Sequence, residues 1–177
     1  MMRFLVVFLL IVAGSAQAER YQSQKLFSHK AWGVDLTHDS IEGGIWCSAE
    51  TRNRSDQTFS ITVYPSGSLT IFVFDNRWSI ADRPIDFILD IDYSRWNMKG
   101  KASGISVSVS VNPGPDTGKF VNELASGGAV ALYNNDQRRL AVFSLAGSKA
   151  ALLKLTDCWN AIKTDSADPF GPSIDPF

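Results

Sequence analysis

Residues Thr58 to Asn76 read "TFSITVYPSGSLTIFVFDN". Phe59, Ile61 and Val63 alternate with polar residues, Pro65-Ser66-Gly67-Ser68 turns the chain, and Leu69, Ile71 and Val73 resume the alternation. A side-chain period of two puts all six on one face of an antiparallel hairpin, and the proline–glycine turn fixes where it folds. Phe72 and Phe74 on the other face of the second strand imply a strand covered on both sides.

The sequence on either side has the same grain. In "AWGVDLTH" Trp32, Val34 and Leu36 share a face, and "IWCSAE" follows after the turn-like "SIEGG". "PIDFILDID" sets Phe87, Leu89 and Ile91 against Asp86, Asp90 and Asp92. "GISVSVSV" points Ile105, Val107, Val109 and Val111 inward and its serines outward, until "NPGPDTG" breaks the pattern. "FVNELASGG" suits a single helical turn or a short helix, and "AVALYNNDQRRLAVFS" a last hairpin turning at Asn134 to Asp136. About eight strands, short turns and no strand–helix–strand rhythm predict a mainly β chain: an antiparallel β-sandwich or partly closed barrel.

One later stretch departs from this grain. "SLAGSKAALLKLTDC", Ser144 to Cys158, carries Ala151, Leu152, Leu155, Cys158 and Trp159 at spacings of three and four, with Lys149, Lys154 and Asp157 mostly off the stripe. This predicts one C-terminal amphipathic helix, capped by Ser144 or Ser148, lying across the sheet or plugging an open end.

The chain begins "MMRFLVVFLLIVAGSAQA". A basic Arg3, ten apolar residues and small residues at Ala16 and Ala18 make 1–18 a secretory signal peptide cleaved before Glu19. The run is short for roughly 30 Å of hydrocarbon, and no cysteine follows it to receive a lipid. What remains is a β-rich domain over 19–163 and a Pro/Asp/Phe-rich tail over 164–177. Those 159 residues carry 16 basic against 18 acidic side chains, a formal charge of −2. That balance gives no electrostatic case for nucleic acid or acidic membranes. The basic clusters "TRNR" (Thr51 to Arg54) and "QRR" (Gln137 to Arg139) read as solvated surface. No later segment is apolar enough to span a membrane, and no cofactor is implied.

Cys47 and Cys158 are the two cysteines. In an oxidising compartment an even count points to a disulfide, here closing a loop of 111 residues. Free thiols, a bridge between two copies and a metal site are the alternatives, and two cysteines without a nearby histidine make a poor zinc site.

These residues also carry a family resemblance. Trp-x-Val at Trp32 to Val34, a cysteine soon after, and the closing "FSLAGSKAALLKL", with Ser144, Leu145, Gly147, Ala150, Ala151 and Leu152, resemble the bacterial invasion-associated locus B family. The resemblance implies a small exported protein with a β-rich fold and a host-contact or envelope role. It supplies no catalytic residues. The chain departs from the family's usual Trp-x-Val-x-Cys spacing and additional cysteines, since Cys47 lies thirteen residues beyond Val34.

Catalytic signatures are scarce. The histidines are His29 and His38, with no His-Glu-x-x-His, no Gly-x-Ser-x-Gly and no phosphate-cradling glycine loop. Asp86, Asp90 and Asp92 are a candidate calcium or acid–base cluster; pairing with Arg83, Arg95 or Lys99 is the simpler reading. Trp78, Tyr93 and Trp96 near turns are candidate rings for a sugar or a protein partner. "NRS" at Asn53 is a glycosylation sequon that counts only in a eukaryotic host. The tail repeats Asp-Pro-Phe, at Asp168, Pro169 and Phe170 and at Asp175, Pro176 and Phe177, and suits either a ligand for a partner's groove or packing onto its own domain. The sequence therefore predicts an exported bacterial protein, periplasmic or secreted, that is not an enzyme and acts through protein–protein interaction. A carbohydrate- or small-ligand-binding module and an unrecognised hydrolase built on an aspartate and His29 or His38 are the alternatives.

Overall fold

The computed structural model of the chain describes residues 20–163. Residues 1–18, read above as a signal peptide, and the tail, with Asp168, Pro169, Phe170, Asp175, Pro176 and Phe177, lie outside the described residues.

The opening hairpin forms as its alternation dictates. Strands β4 (Thr58–Val63) and β5 (Leu69–Phe74) pair with Phe59 opposite Val73, Ile61 opposite Ile71 and Val63 opposite Leu69. Gly67, at φ +81°, makes the turn that a Cβ would strain. All six side chains face the core. Phe72 and Phe74 stack at 5.4 Å on the other face and are half-buried, and among the described residues no helix or second sheet layer packs over them.

Around this hairpin runs one antiparallel sheet of ten strands. Its chain-order members are β1 (Tyr21–His29), β2 (Trp32–Asp39), β3 (Ile45–Arg52), β4, β5, β6 (Ile80–Ile91), β7 (Ser94–Gly104), β8 (Ser106–Val111), β9 (Ala129–Asn134) and β10 (Arg139–Ser144). The spatial order is β1-β2-β3-β4-β5-β8-β7-β6-β9-β10. The predicted eight strands become ten because the polar β1 and the lysine- and glycine-bearing β7 carry weak alternation. Ile105 is not inward: it sits in the β7–β8 turn and is exposed, while Val107 and Val109 are buried as expected.

A single sheet curls here where a sandwich would stack two. It stays open, with β1 and β10 as edges, and side chains bridge the gap. Three alternate carbonyls of β10 accept side-chain hydrogen bonds: Leu140 from Gln57 Nε2 at 3.2 Å, Val142 from Asn53 Nδ2 at 3.1 Å and Ser144 from Trp32 Nε1 at 3.2 Å. Period two turns every second carbonyl of β10 outward, so each donor meets one. Inside the same seam the rings of Trp32, Phe59 and Phe143 meet in series, at 6.3 and 5.6 Å. The result is the partly closed barrel.

Two helices close one end. Helix α1 (Pro115–Ser126) carries the chain from β8 over the β6–β7 ribbon to β9. "NPGPDTG", read as a breaker, supplies its start, with Pro115 in the first turn. Helix α2 (Ser148–Ile162) buries Ala151, Leu152, Leu155 and Cys158 of the predicted stripe, and Ile162 beyond it, while Trp159 is only half-buried. Its cap is neither Ser144 nor Ser148 but Gly147, at φ +104°. Ser148 is the first helical residue, and its hydroxyl donates to the Leu124 carbonyl of α1 at 2.6 Å. Cys158 bonds Cys47 of β3, with the two Cα atoms 6.1 Å apart.

Candidate functional site

Helix α1 covers one end of the β6–β7 ribbon through Phe120 on Trp96, and the other end is an open mouth. A cleft of about 790 Å³ occupies it. Its floor is apolar: Trp78, Ile80, Ile85, Phe87, Leu132 and Leu140. Its rim is charged in both signs, with Arg83, Lys99 and Arg138 against Asp86 and Asp136.

Local sequence explains the shape. A Cβ on Gly100 would fall 2.1 Å from the Ser108 carbonyl oxygen and 2.7 Å from the Phe87 ring. Glycine is thus what lets β8 and the Phe87 ring close over β7 and form the floor. Trp78 is placed by Asp75, whose carbonyl accepts the Trp78 N–H at 2.9 Å. The Asp75 carboxylate, 3% exposed, takes Arg77 Nε at 2.8 Å, Arg77 Nη2 at 2.7 Å and Gln57 Nε2 at 2.8 Å. Above all the Arg77 guanidinium, then its backbone N–H and the Gln57 amide, hold this carboxyl far below the usual range, against the opposing pull of burial. Strand β9 pairs β6 only over Phe87–Ile91. The stretch from Ile80 to Asp86 therefore has a free edge along the cleft, blunted by a register shift at Ile80/Arg83 and by Pro84.

The three candidate aromatics do not gather. Trp78 lines the cleft, whereas Trp96 pairs with Leu89 near the other end of the ribbon. Nine residues separate Ile80 from Leu89 along β6, roughly 30 Å of strand. The Trp96 indole donates to Glu123 Oε2 at 2.7 Å and meets the Phe120 ring edge-on at 5.1 Å, beneath α1. That bond, with help from Ser94, lowers the Glu123 pKa. Tyr93 is 97% exposed at the β6–β7 turn, where Asp92 and Tyr93 both have positive φ.

The acidic trio separates as well. Asp90 accepts the Tyr93 N–H at 2.8 Å and lies 3.9 Å from Arg95. Asp92 leaves the strand for the turn and accepts the Gly128 and Ala129 N–H groups at 2.5 and 3.1 Å, docking the α1–β9 connection. Asp86 stands on the cleft rim, opposite Lys99 in the ladder. Among the described residues no group of three His, Cys, Asp or Glu side chains is arranged to hold a metal. His29 and His38 sit at opposite ends of the β1–β2 hairpin, and neither lines the cleft with Asp86 and Asp136.

Other positions acquire roles the sequence did not show. The sequon residue Asn53 spends its amide on Gln57 Oε1 at 2.7 Å and on the Val142 carbonyl, inside the seam. "TRNR" and "QRR", far apart in the chain, meet across that seam: Arg52, Arg54 and Arg139 line one groove, while Arg138 turns to the mouth. Both cysteines are buried and bonded, as predicted. Among the described residues no helix is long and apolar enough to cross a membrane.

No protein-family model matches the sequence. No curated protein matches it either. The fold is similar to that in the crystal structure of invasion associated protein B from Bartonella henselae, with a TM-score of 0.51 over 78% of this chain and 99% of that one. Identity is 13%, so the likeness is one of fold. The distant resemblance read from Trp32 to Val34 and Ser144 to Leu152 thus holds at that level.

Proposed function

We propose that this chain is an exported bacterial protein that is not an enzyme and works in the periplasm or outside the cell by binding a protein partner. The signal-like 1–18 segment and the buried Cys47–Cys158 bridge support the compartment. The fold shared with invasion associated protein B supports an envelope or invasion-related setting.

The open mouth carries the binding reading. An apolar floor ringed by both signs of charge suits an inserted apolar side chain flanked by charged neighbours. Pro84 and the register shift beside it disfavour an added strand, so the partner's side chains, not its backbone, make the recognition. Trp78 and Phe87 in the floor favour one second reading, a small apolar ligand.

The test is capture from envelope extract by the wild type and by Trp78→Ala, Arg138→Glu and Tyr93→Ala variants, followed by titration with the purified captured protein. Binding by the wild type and Tyr93→Ala, but not by the other two, supports the proposal. Equal binding by all four sinks it. A Trp78-dependent fluorescence response to a small apolar probe, with no protein bound, gives the site to a small ligand instead.

A further inference from the structure

The seam between the β3–β4 turn and β10 opens outward as a second cleft, about 490 Å³. Two of the stitches cross it: Asn53 and Gln57 reach the carbonyls of Val142 and Leu140. Arg52 and Arg54 come to it from the end of β3 and the turn that follows, and Arg139 from the start of β10. Among the described residues no aspartate or glutamate lines it.

Three arginines thus share one groove in a chain whose formal charge from Glu19 onward is −2. Like charges gathered on a seam repel, and the fold makes little use of them. Arg52 pairs with Asp56 at 3.0 Å, but the two side chains are 66% and 69% exposed, so water competes and the pair is weak. Arg54 and Arg139 have no carboxylate partner among the described residues. Every cation of the groove is a guanidinium, whose planar fork takes a carboxylate by both oxygens.

Strand β10 adds a donor and an apolar strip. Just past it, the Leu145 N–H bonds the Gly128 carbonyl at 2.9 Å. In an alternating strand Phe143 and Ala141 then also turn their backbone groups to β9, and Val142 turns its N–H, with its carbonyl, into the seam. Leu140 is half-buried and Val142 is 38% exposed, and both line the groove. A bare oxyanion satisfies the arginines and the N–H but leaves these two side chains in water. A peptide whose carboxylates flank an apolar residue satisfies all of them.

We propose that this groove binds an acidic segment of a protein partner. An apolar side chain of the segment lies on Leu140 and Val142, and the carboxylates beside it pair with Arg52, Arg54 and Arg139. Bound carboxylates relieve the repulsion and join the β3–β4 turn to β10, so occupancy tightens the seam. Leu140 also lines the mouth, which places the groove beside it. The inference does not depend on what the mouth binds.

The test titrates the chain from Glu19 to Phe177, labelled for NMR, with acetyl-Glu-Glu-Val-Glu-Glu-amide, with its glutamine counterpart and with inorganic phosphate. The acidic peptide should shift the Val142 amide and the Arg54 and Arg139 Nε–H signals and slow amide exchange in the β9–β10 hairpin. It should dissociate near 1 M salt, where the screening length falls to about 3 Å. Arg54→Gln combined with Arg139→Gln should weaken it about tenfold and leave the urea midpoint no lower, which separates lost binding from lost folding. Lys101→Gln removes one exposed charge from β7, away from the groove, and should leave binding unchanged. The proposal is overturned if the wild type does not bind the acidic peptide, if it binds the glutamine peptide equally, or if the double variant binds as the wild type does. Phosphate that shifts the same signals and displaces the peptide at equal concentration gives the groove to a small oxyanion and overturns it as well.

Discussion

Gly100 and Asp75 carry more than their size or charge suggests. Any side chain at Gly100 must displace either the backbone of β8 or the Phe87 ring. Gly100→Ala should therefore cost about 1–3 kcal/mol, as overpacking does elsewhere, read as a lower urea midpoint with an unchanged slope. Asp75 makes a different prediction, because its effect depends on pH. Its carboxyl is depressed in the folded state, chiefly by Arg77. The folded form thus binds fewer protons than the unfolded chain. The stabilisation is whole above the unfolded value, about pH 4, and is lost as pH falls from there through the depressed folded value. Asp75→Asn should be less stable than the wild type at pH 7, with the gap narrowing below about pH 4 in urea titrations. Neither role was legible in the sequence. No alternation around Gly100 marks it as a strand residue, and nothing near Asp75 announces Gln57 as its partner. Asp92 misled for a related reason: period two put it on a strand face, but the Asp92-Tyr93 turn ends that period one residue earlier.

Among the elements, the buried stripe of α2 was legible though its cap was not, and β7 was hardly legible at all. The α2 stripe is a strong pattern of leucines and alanines facing one surface, and Cys158 sits on it. In β7 the inward positions are Trp96, Met98, Gly100 and Ala102, and two of these four are small. A ring lent by β6 fills the space that a large side chain would otherwise occupy. Helix α1 was half legible, since its proline start resembles a turn until Phe120 and Leu124 find the core. The α2 lock gives the prediction at this scale. Cys47→Ala with Cys158→Ala should cost about 2–5 kcal/mol, the usual range for a bridge across a long loop. The loss should appear first as faster amide exchange in α2, because β3 keeps its ladders to β2 and β4. Mass spectrometry of the unreduced wild type should find no alkylable thiol.

The closure of the whole sheet is the feature furthest from local pattern. Strand alternation predicts ribbons and one buried face, but the order of strands and the place where the edges meet depend on contacts between distant residues. Here those contacts are side-chain donors and backbone acceptors separated by 112 residues at Trp32, 89 at Asn53 and 83 at Gln57. No sequence period encodes such a pairing. A seam of this kind differs from a strand ladder because each stitch can be removed singly without touching the backbone. Trp32→Phe keeps a ring against Phe59 but removes the N–H together with part of a fully buried ring system. Asn53→Ala removes the amide that serves both Gln57 and Val142. Trp32→Phe should cost about 1–3 kcal/mol, for the lost bond and the space left in the core together, and Asn53→Ala, whose Val142 partner is open to solvent, about 0.5–1.5 kcal/mol. The change should be local: the β9–β10 hairpin should exchange its amides faster, while the β4–β5 hairpin keeps its protection. Because Asn53 and Gln57 share a bond, Asn53→Ala combined with Gln57→Leu should cost less than the sum of the two. Trp32→Phe combined with Gln57→Leu, at different carbonyls of β10, should come close to additive. Uniform loss of protection across all ten strands would instead mean that the sheet opens as one unit, with β10 held by its ladder to β9 and by the Phe59–Phe143 contact and the three stitches adding nothing of their own.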